Sequence, residues 1–164
     1  MLTLVLGGAR SGKSAVAEAV AGRSPGPVTY VATVSVGEDD PDLAARVAAH
    51  RARRPPGWAT VEAGADLVAA VAATPGTLLV DSLGPWVAAS AGFAADADGL
   101  CRVLAERDGD AVIVSEEVGL GVHPSTEAGR HFRDALGFLN QRVAAVADDV
   151  LLVVAGRVLP LARP

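Results

Sequence analysis

Gly7-Gly8-Ala9-Arg10-Ser11-Gly12-Lys13-Ser14 fits the spacing G-x-x-x-x-G-K-[ST], a turn whose backbone N–H groups face phosphate oxygens. Each residue type has a task there. Glycines let the chain curl close to an anion, Lys13 reaches the outer phosphates, and the Ser14 hydroxyl is a hard oxygen donor for Mg²⁺. Lys13 is the only lysine among 14 basic residues; all the others are arginine. An ammonium is a compact point charge that fits inside a loop where a guanidinium does not. A glycine-rich turn that matched by chance would lack a strand before it and a helix after it. Here Leu2–Leu6 reads as a buried strand and Ser14–Ala21 as an Ala-rich helix, whose N-terminus favours the same anion.

A second acid-bearing stretch is Thr77-Leu78-Leu79-Val80-Asp81, an apolar strand ending in a carboxylate, the pattern that supports a nucleotide's Mg²⁺. A third is Leu43 to Arg53, a helix by its pattern. Arg46, His50 and Arg54 recur at i, i+4, i+8 and share one face, with Arg51 and Arg53 beside them. Like charges on one face repel slightly but grip a polyphosphate, and they favour a neutral, nucleophilic imidazole. On the residues alone, a solvated basic face with an incidental histidine is the simpler account. A fourth is Glu116-Glu117-Val118-Gly119-Leu120-Gly121, either a site loop at a strand's carboxyl end or an ordinary acidic turn.

These stretches need a scaffold. Apolar runs at Val28–Ala32, Ala111–Ser115 and Val150–Ala155 read as further strands, with short ones at Trp58–Val61 (Glu62 at its end) and Val158–Leu161, where Pro160 marks an edge. Helices are expected over Ala65–Ala73, Pro85–Ala91, Leu100–Glu106 and Glu127–Val146, with Gly92–Gly99 as a small acidic linker. Thr33-Val34-Ser35-Val36-Gly37 follows the second strand, at the sheet edge that lines the ligand crevice in open α/β sheets. Five to seven strands alternating with helices predict a mostly parallel α/β sheet with helices on both faces. The 164 residues suit a single domain spanning 1–164, with no internal repeat.

Composition narrows the class. The chain is 51% hydrophobic with mean hydropathy +0.36, rich in Ala and Val, as a doubly covered sheet or a partner-covered surface requires. No stretch approaches a membrane span, and the first strand begins at once, which leaves no signal peptide and predicts a cytoplasmic chain. A lone Cys101 excludes an internal disulfide, and a net charge of −5 argues against nucleic-acid binding.

Taken together, these stretches resemble the bifunctional adenosylcobinamide kinase/adenosylcobinamide-phosphate guanylyltransferases of cobalamin synthesis. The resemblance is carried by the P-loop with its Ala-Arg-Ser interior, by Tyr30-Val31-Ala32-Thr33, and by Ala45 to Pro55, where His50 falls on the family's guanylylated histidine. Trp58, Glu62, Glu117-Val118-Gly119-Leu120-Gly121, Arg130-His131-Phe132-Arg133-Asp134 and Asn140-Gln141 extend it along nearly the whole chain. It implies a RecA-like P-loop fold, a homotrimer, and two reactions. ATP or GTP phosphorylates the aminopropanol hydroxyl of adenosylcobinamide. GMP then passes from GTP through a GMP–histidine onto the resulting phosphate, giving adenosylcobinamide-GDP. Carried over, His50 and Lys13 are catalytic. Nucleotide contacts fall on Gly7, Gly8, Ala9, Arg10, Ser11, Gly12, Lys13, Ser14, Thr33, Val34, Ser35, Arg51, Ala52, Arg53, Arg54, Glu62 and Asp81, with Mg²⁺ on Ser14 and Asp81. Glu116 stands where the family usually has Asn, Gly84-Pro85-Trp86 replaces the usual run after Asp81, and His123 replaces an apolar residue. These departures bear on the cobinamide-side contacts more than on the nucleotide site, and on whether both activities are kept. Two other readings compete: a P-loop kinase of another small molecule, and a GTP-binding regulatory protein.

Overall fold

The computed structural model describes residues 1–33 and 55–163. They build one seven-stranded sheet in the order β3-β2-β4-β5-β1-β6-β7. Its strands are β1 (Leu2–Gly7), β2 (Val28–Ala32), β3 (Ala59–Glu62), β4 (Thr77–Asp81), β5 (Ala111–Glu116), β6 (Asp149–Val154) and β7 (Arg157–Pro160). The first six run parallel; only β7 is antiparallel, paired with β6. Central position explains the continuous apolar runs. β1 lies between β5 and β6 and buries all six residues, since strands covered on both faces have no solvent side to alternate with. β7 is the exposed edge, closed by Pro160 at its last position, where a missing N–H costs nothing.

The helices are α1 (Lys13–Ala21), α2 (Leu67–Ala73), α3 (Leu83–Ala89), α4 (Ala97–Glu106) and α5 (Glu127–Val146). Among the described residues α1 alone covers one face, packing Ala17, Val20 and Ala21 against Val5, Val112 and Val114. The other four share the opposite face. There Leu67, Leu83, Trp86, Leu100, Leu136 and Val143 close over Leu4, Leu78 and Ile113. The mostly parallel α/β sheet with helices on both faces is therefore as expected.

Boundaries differ by two residues or more at three helices, and α2 begins at Leu67 rather than Ala65. α3 begins at Leu83 rather than Pro85, because Ser82 holds the extended conformation of an N-cap and Pro85 falls in the first turn, where a missing N–H is tolerated. α4 begins at Ala97 rather than Leu100. Asp96 caps it by accepting from the Gly99 N–H at 2.8 Å, so the last three residues of the expected linker are helix. A short 3₁₀ turn, Ala91–Phe93, joins the two. α5 runs Glu127–Val146 as expected, capped by the Thr126 hydroxyl on Gly129 N at 3.1 Å.

Candidate nucleotide-binding and active site

All six parallel strands deliver their carboxyl ends to one edge, and the site forms there. β1 ends at Gly7, and Ser11 N–H donates to Gly8 O at 3.3 Å to close the turn. Arg10 (φ 55°) and Gly12 (φ 95°) adopt left-handed conformations inside it. Gly12 then heads α1 without a side-chain cap, which leaves the first N–H groups of the helix aimed at whatever the loop encloses. Lys13 folds back and donates to Gly8 O at 3.3 Å, across the mouth of the loop. The Ser11 hydroxyl is buried with no hydrogen-bond partner among the described residues.

Close packing fixes the loop from behind. The β6–β7 turn, Ala155 (φ 50°) and Gly156 (φ 72°), sends Gly156 N–H to Ser11 O at 2.8 Å. A Cβ on Gly7 would run into the Ser11 hydroxyl and lie 2.8 Å from Val153 O, a backbone atom that cannot swing away. Gly7→Ala is therefore expected to weaken nucleotide affinity about tenfold or more, the 1–3 kcal/mol typical of overpacking. A nucleotide titration with a thermal melt checks this; unchanged affinity would mean that the loop tolerates the displacement.

Beside β1 lies β5, and beside β5 lies β4, so the three strand tips stand in a row. Asp81 ends β4, and the Tyr30 phenol donates a short hydrogen bond to its carboxylate. Thr33 is buried, its hydroxyl committed to Ser82 O at 2.6 Å. Glu116 ends β5 and occupies the centre of the row. Its Oε1 is 3.8 Å from Lys13 Nζ and accepts from the Ser82 hydroxyl at 2.8 Å. Its Oε2 accepts from Gly84 N–H at 3.0 Å. Any side chain on Gly84 would collide with this carboxylate. Asn140 of α5 anchors the strand end from below. It donates to Glu116 O at 3.0 Å and accepts from the Ser115 hydroxyl at 2.6 Å.

Two of the departures, Glu116 and Gly84, are in mutual contact, beside the P-loop lysine. Sequence reasoning also missed Ser82 and Gly156, and it named Asn140 only as part of the resemblance, with no role in the site. The available signal was topological, since a carboxylate at the tip of a strand adjoining the P-loop strand must face the loop.

The remaining candidates lie further away. Glu62 ends β3, four strands from β1, which at a 4.8 Å spacing is about 19 Å. Arg130 is used locally, donating to Pro124 O and Ser125 O at 3.2 and 3.3 Å, and Arg133 pairs with Asp134 at 2.9 Å. Val34, Ser35, Arg46, His50, Arg51, Ala52, Arg53 and Arg54 lie outside the described residues. Cys101 is buried in α4, where burial pushes its thiol upward and makes it a poor nucleophile. A groove of about 1100 Å³ opens where Glu117–Gly119 meets α5, its wall including Phe138, Ala144 and Leu161 and its floor Leu6 and Val150.

A glycine loop on β1, its lysine at the head of α1, and carboxylates at the tips of the next two strands define a P-loop nucleotide-binding protein with a RecA-like sheet. The sheet is similar to that of an ATPase from the type III secretion system of pathogenic bacteria, with a TM-score of 0.57 at 11% identity, over 92% of this chain and 50% of that one. The family model for cobinamide kinase / cobinamide phosphate guanyltransferase matches residues 3–161, and the chain belongs to that family. Its relatives include the bifunctional adenosylcobalamin biosynthesis protein CobP of Pseudomonas aeruginosa, 39% identical over 98% of this chain and 97% of that protein. The CobU protein of the same description from Salmonella typhimurium is 38% identical over 95% of this chain and 97% of its own.

Proposed function

We propose that this chain phosphorylates the hydroxyl arm of adenosylcobinamide with ATP or GTP, then transfers GMP from GTP to the new phosphate. The observation that carries this reading is the alignment of Lys13, Glu116 and Asp81 at one sheet edge, within a family match that spans the chain.

For phosphoryl transfer the protein mainly positions and neutralises. The P-loop N–H groups hold the β- and γ-phosphates, and Lys13 meets the charge on the outer oxygens. Ser14 and Asp81 offer hard oxygen donors of the kind Mg²⁺ takes, one carboxylate and one hydroxyl beside nucleotide phosphates. The buried, unpartnered Ser11 hydroxyl fits a loop built to receive further oxygen ligands. Bound there, Mg²⁺ would supply charge neutralisation between the phosphates. Asp81→Asn keeps an acceptor for the Tyr30 phenol but loses the charge, and is expected to raise the Mg²⁺ concentration needed for half-maximal activity about tenfold. An unchanged metal requirement removes Asp81 from the site.

In guanylyl transfer, an imidazole nitrogen of His50 attacks the α-phosphorus of GTP. The bond from that phosphorus to the bridging oxygen breaks, and pyrophosphate leaves with the electron pair. Arg46, Arg51, Arg53 and Arg54 take up charge on the phosphoryl oxygens. An oxygen of adenosylcobinamide phosphate then attacks the same phosphorus and releases His50. Thr33 to Ser35 and Glu62 complete the nucleotide contacts in this reading. We also infer a cytoplasmic homotrimer. Exposed Val154, Val158 and Leu159 along the last hairpin are in keeping with a covered edge, and no described helix is long and apolar enough to cross a membrane.

The test is incubation with Mg²⁺ and GTP labelled at the α-phosphate, then denaturation and mapping of acid-labile label. Label on His50 is expected. Bound nucleotide without label would reduce the reading to a P-loop kinase.

A further inference from the structure

We propose that the Glu116 carboxylate accepts the proton of the cobinamide hydroxyl in the phosphoryl-transfer step, an inference that rests on the kinase reading above. Three observations converge on this residue. The first is position: β5 lies between the P-loop strand and the Asp81 strand, and Glu116 Oε1 is 3.8 Å from the ammonium that the loop sends to the outer phosphates. A carboxylate at that distance from Lys13 borders the space where a γ-phosphorus and its attacker meet.

The second is construction. Ser82 Oγ and Gly84 N–H hold the two carboxylate oxygens at 2.8 and 3.0 Å, the missing side chain of Gly84 makes room, and buried Asn140 pins the strand end. A surface acid needs no such cradle. The third is availability. The side chain is 30% exposed, and a carboxylate has about four acceptor sites, so the donors that orient Glu116 leave capacity for a substrate hydroxyl.

The step balances as follows. The hydroxyl oxygen forms a bond to the γ-phosphorus as its proton passes to a Glu116 oxygen. The bond from phosphorus to the bridging oxygen breaks, and its electron pair stays on the departing diphosphate. Glu116 then returns the proton to solvent. The two reactions differ at this point. A hydroxyl must lose a proton to become a phosphate ester, whereas the acceptor in guanylyl transfer is already an anion. A base assists the first reaction only. A residue that merely anchored Lys13 would serve both, since both hold a triphosphate.

The experiment compares Glu116→Gln with wild type in each half-reaction. Phosphorylation of adenosylcobinamide is followed with ATP, and guanylyl transfer is followed with GTP on preformed adenosylcobinamide phosphate. The kinase kcat is expected to fall about 10²- to 10⁴-fold with KM for ATP changed only a few-fold, and the kinase loss to exceed the guanylyl-transfer loss at least tenfold. Glu116→Asp, which keeps a carboxylate, should retain more kinase kcat than Glu116→Gln, which keeps the proposal testable if the amide variant folds poorly. An unchanged kinase kcat, or equal losses in both reactions, overturns it. Wild type that makes no cobinamide phosphate overturns the kinase reading itself, a result visible before any substitution is made.

Discussion

Lys13→Ala loses both activities, each by about 10²- to 10³-fold in kcat/KM, the cost of removing one charged donor from a preorganised anion site. Both reactions fall because both hold a triphosphate in the same loop. The backbone N–H groups remain, so the variant still binds nucleotide, but weakly. A second effect adds to the first. With the ammonium gone, Glu116 faces the phosphates with no cation between them, where it had one 3.8 Å away. The attraction lost between Lys13 and Glu116 at that separation is roughly 1 kcal/mol in water and 4 kcal/mol at an effective dielectric of 20, and its loss leaves the carboxylate's charge uncompensated beside the phosphates. Lys13→Ala/Glu116→Gln is therefore expected to bind nucleotide more tightly than Lys13→Ala alone, a coupling that a double-mutant cycle reads directly. Lys13→Arg should not restore activity, because a planar fork does not fit where a point charge lies across Gly8 O. Steady-state kinetics on each half-reaction and a titration with fluorescent nucleotide measure these effects. A Lys13→Ala enzyme within tenfold of wild type would take Lys13 out of the machinery.

His50→Ala abolishes guanylyl transfer, by roughly 10⁴-fold or more, as removal of a covalent nucleophile does. It also leaves no acid-labile label after exposure to α-labelled GTP. The kinase reaction, which uses no covalent intermediate here, should lose far less. The ratio of the two losses is the decisive number. If both fall equally, His50 supports the nucleotide site as a whole and is not the attacking group. The pH dependence has a definite sign. Attack requires the neutral imidazole, so guanylyl transfer should decline as pH falls and the imidazole takes up a proton.

The fold was legible where burial dictates sequence. Strands covered on both faces appear as unbroken apolar runs, so β1, β4 and β5 stood out, as did α5 with its Thr126 cap. The starts of α3 and α4 were less visible because their signals are single capping residues, Ser82 and Asp96, rather than periodicity. The P-loop was legible because its chemistry is contiguous. The rest of the site was not, because it is assembled across strands. Nothing in the spacing of Ser82, Gly84, Glu116 and Asn140 announces that they meet; strand order alone brings them together. Gly84 was read as part of an unusual run and Glu116 as an unusual acid, when each is the condition for the other. Conversely Arg130, whose residue type suits phosphate, is committed to the carbonyls before α5.

The contact between the β6–β7 turn and the back of the P-loop ties the edge hairpin to the ligand. Gly156 N–H reaches Ser11 O at 2.8 Å, and a Cβ on Gly12 would lie a tight 3.3 Å from Gly156 Cα. An edge hairpin held on one side only would ordinarily fray, and its amides would exchange with solvent at low free-energy cost. Here, opening the hairpin withdraws a support from the loop, so any ligand that needs the loop closed must oppose the opening. Saturation with nucleotide at 100 times its dissociation constant would add up to about 2.7 kcal/mol to that opening. In deuterated water the Gly156 amide would then exchange up to roughly 100-fold more slowly, making one backbone proton behind the P-loop a reporter of nucleotide occupancy.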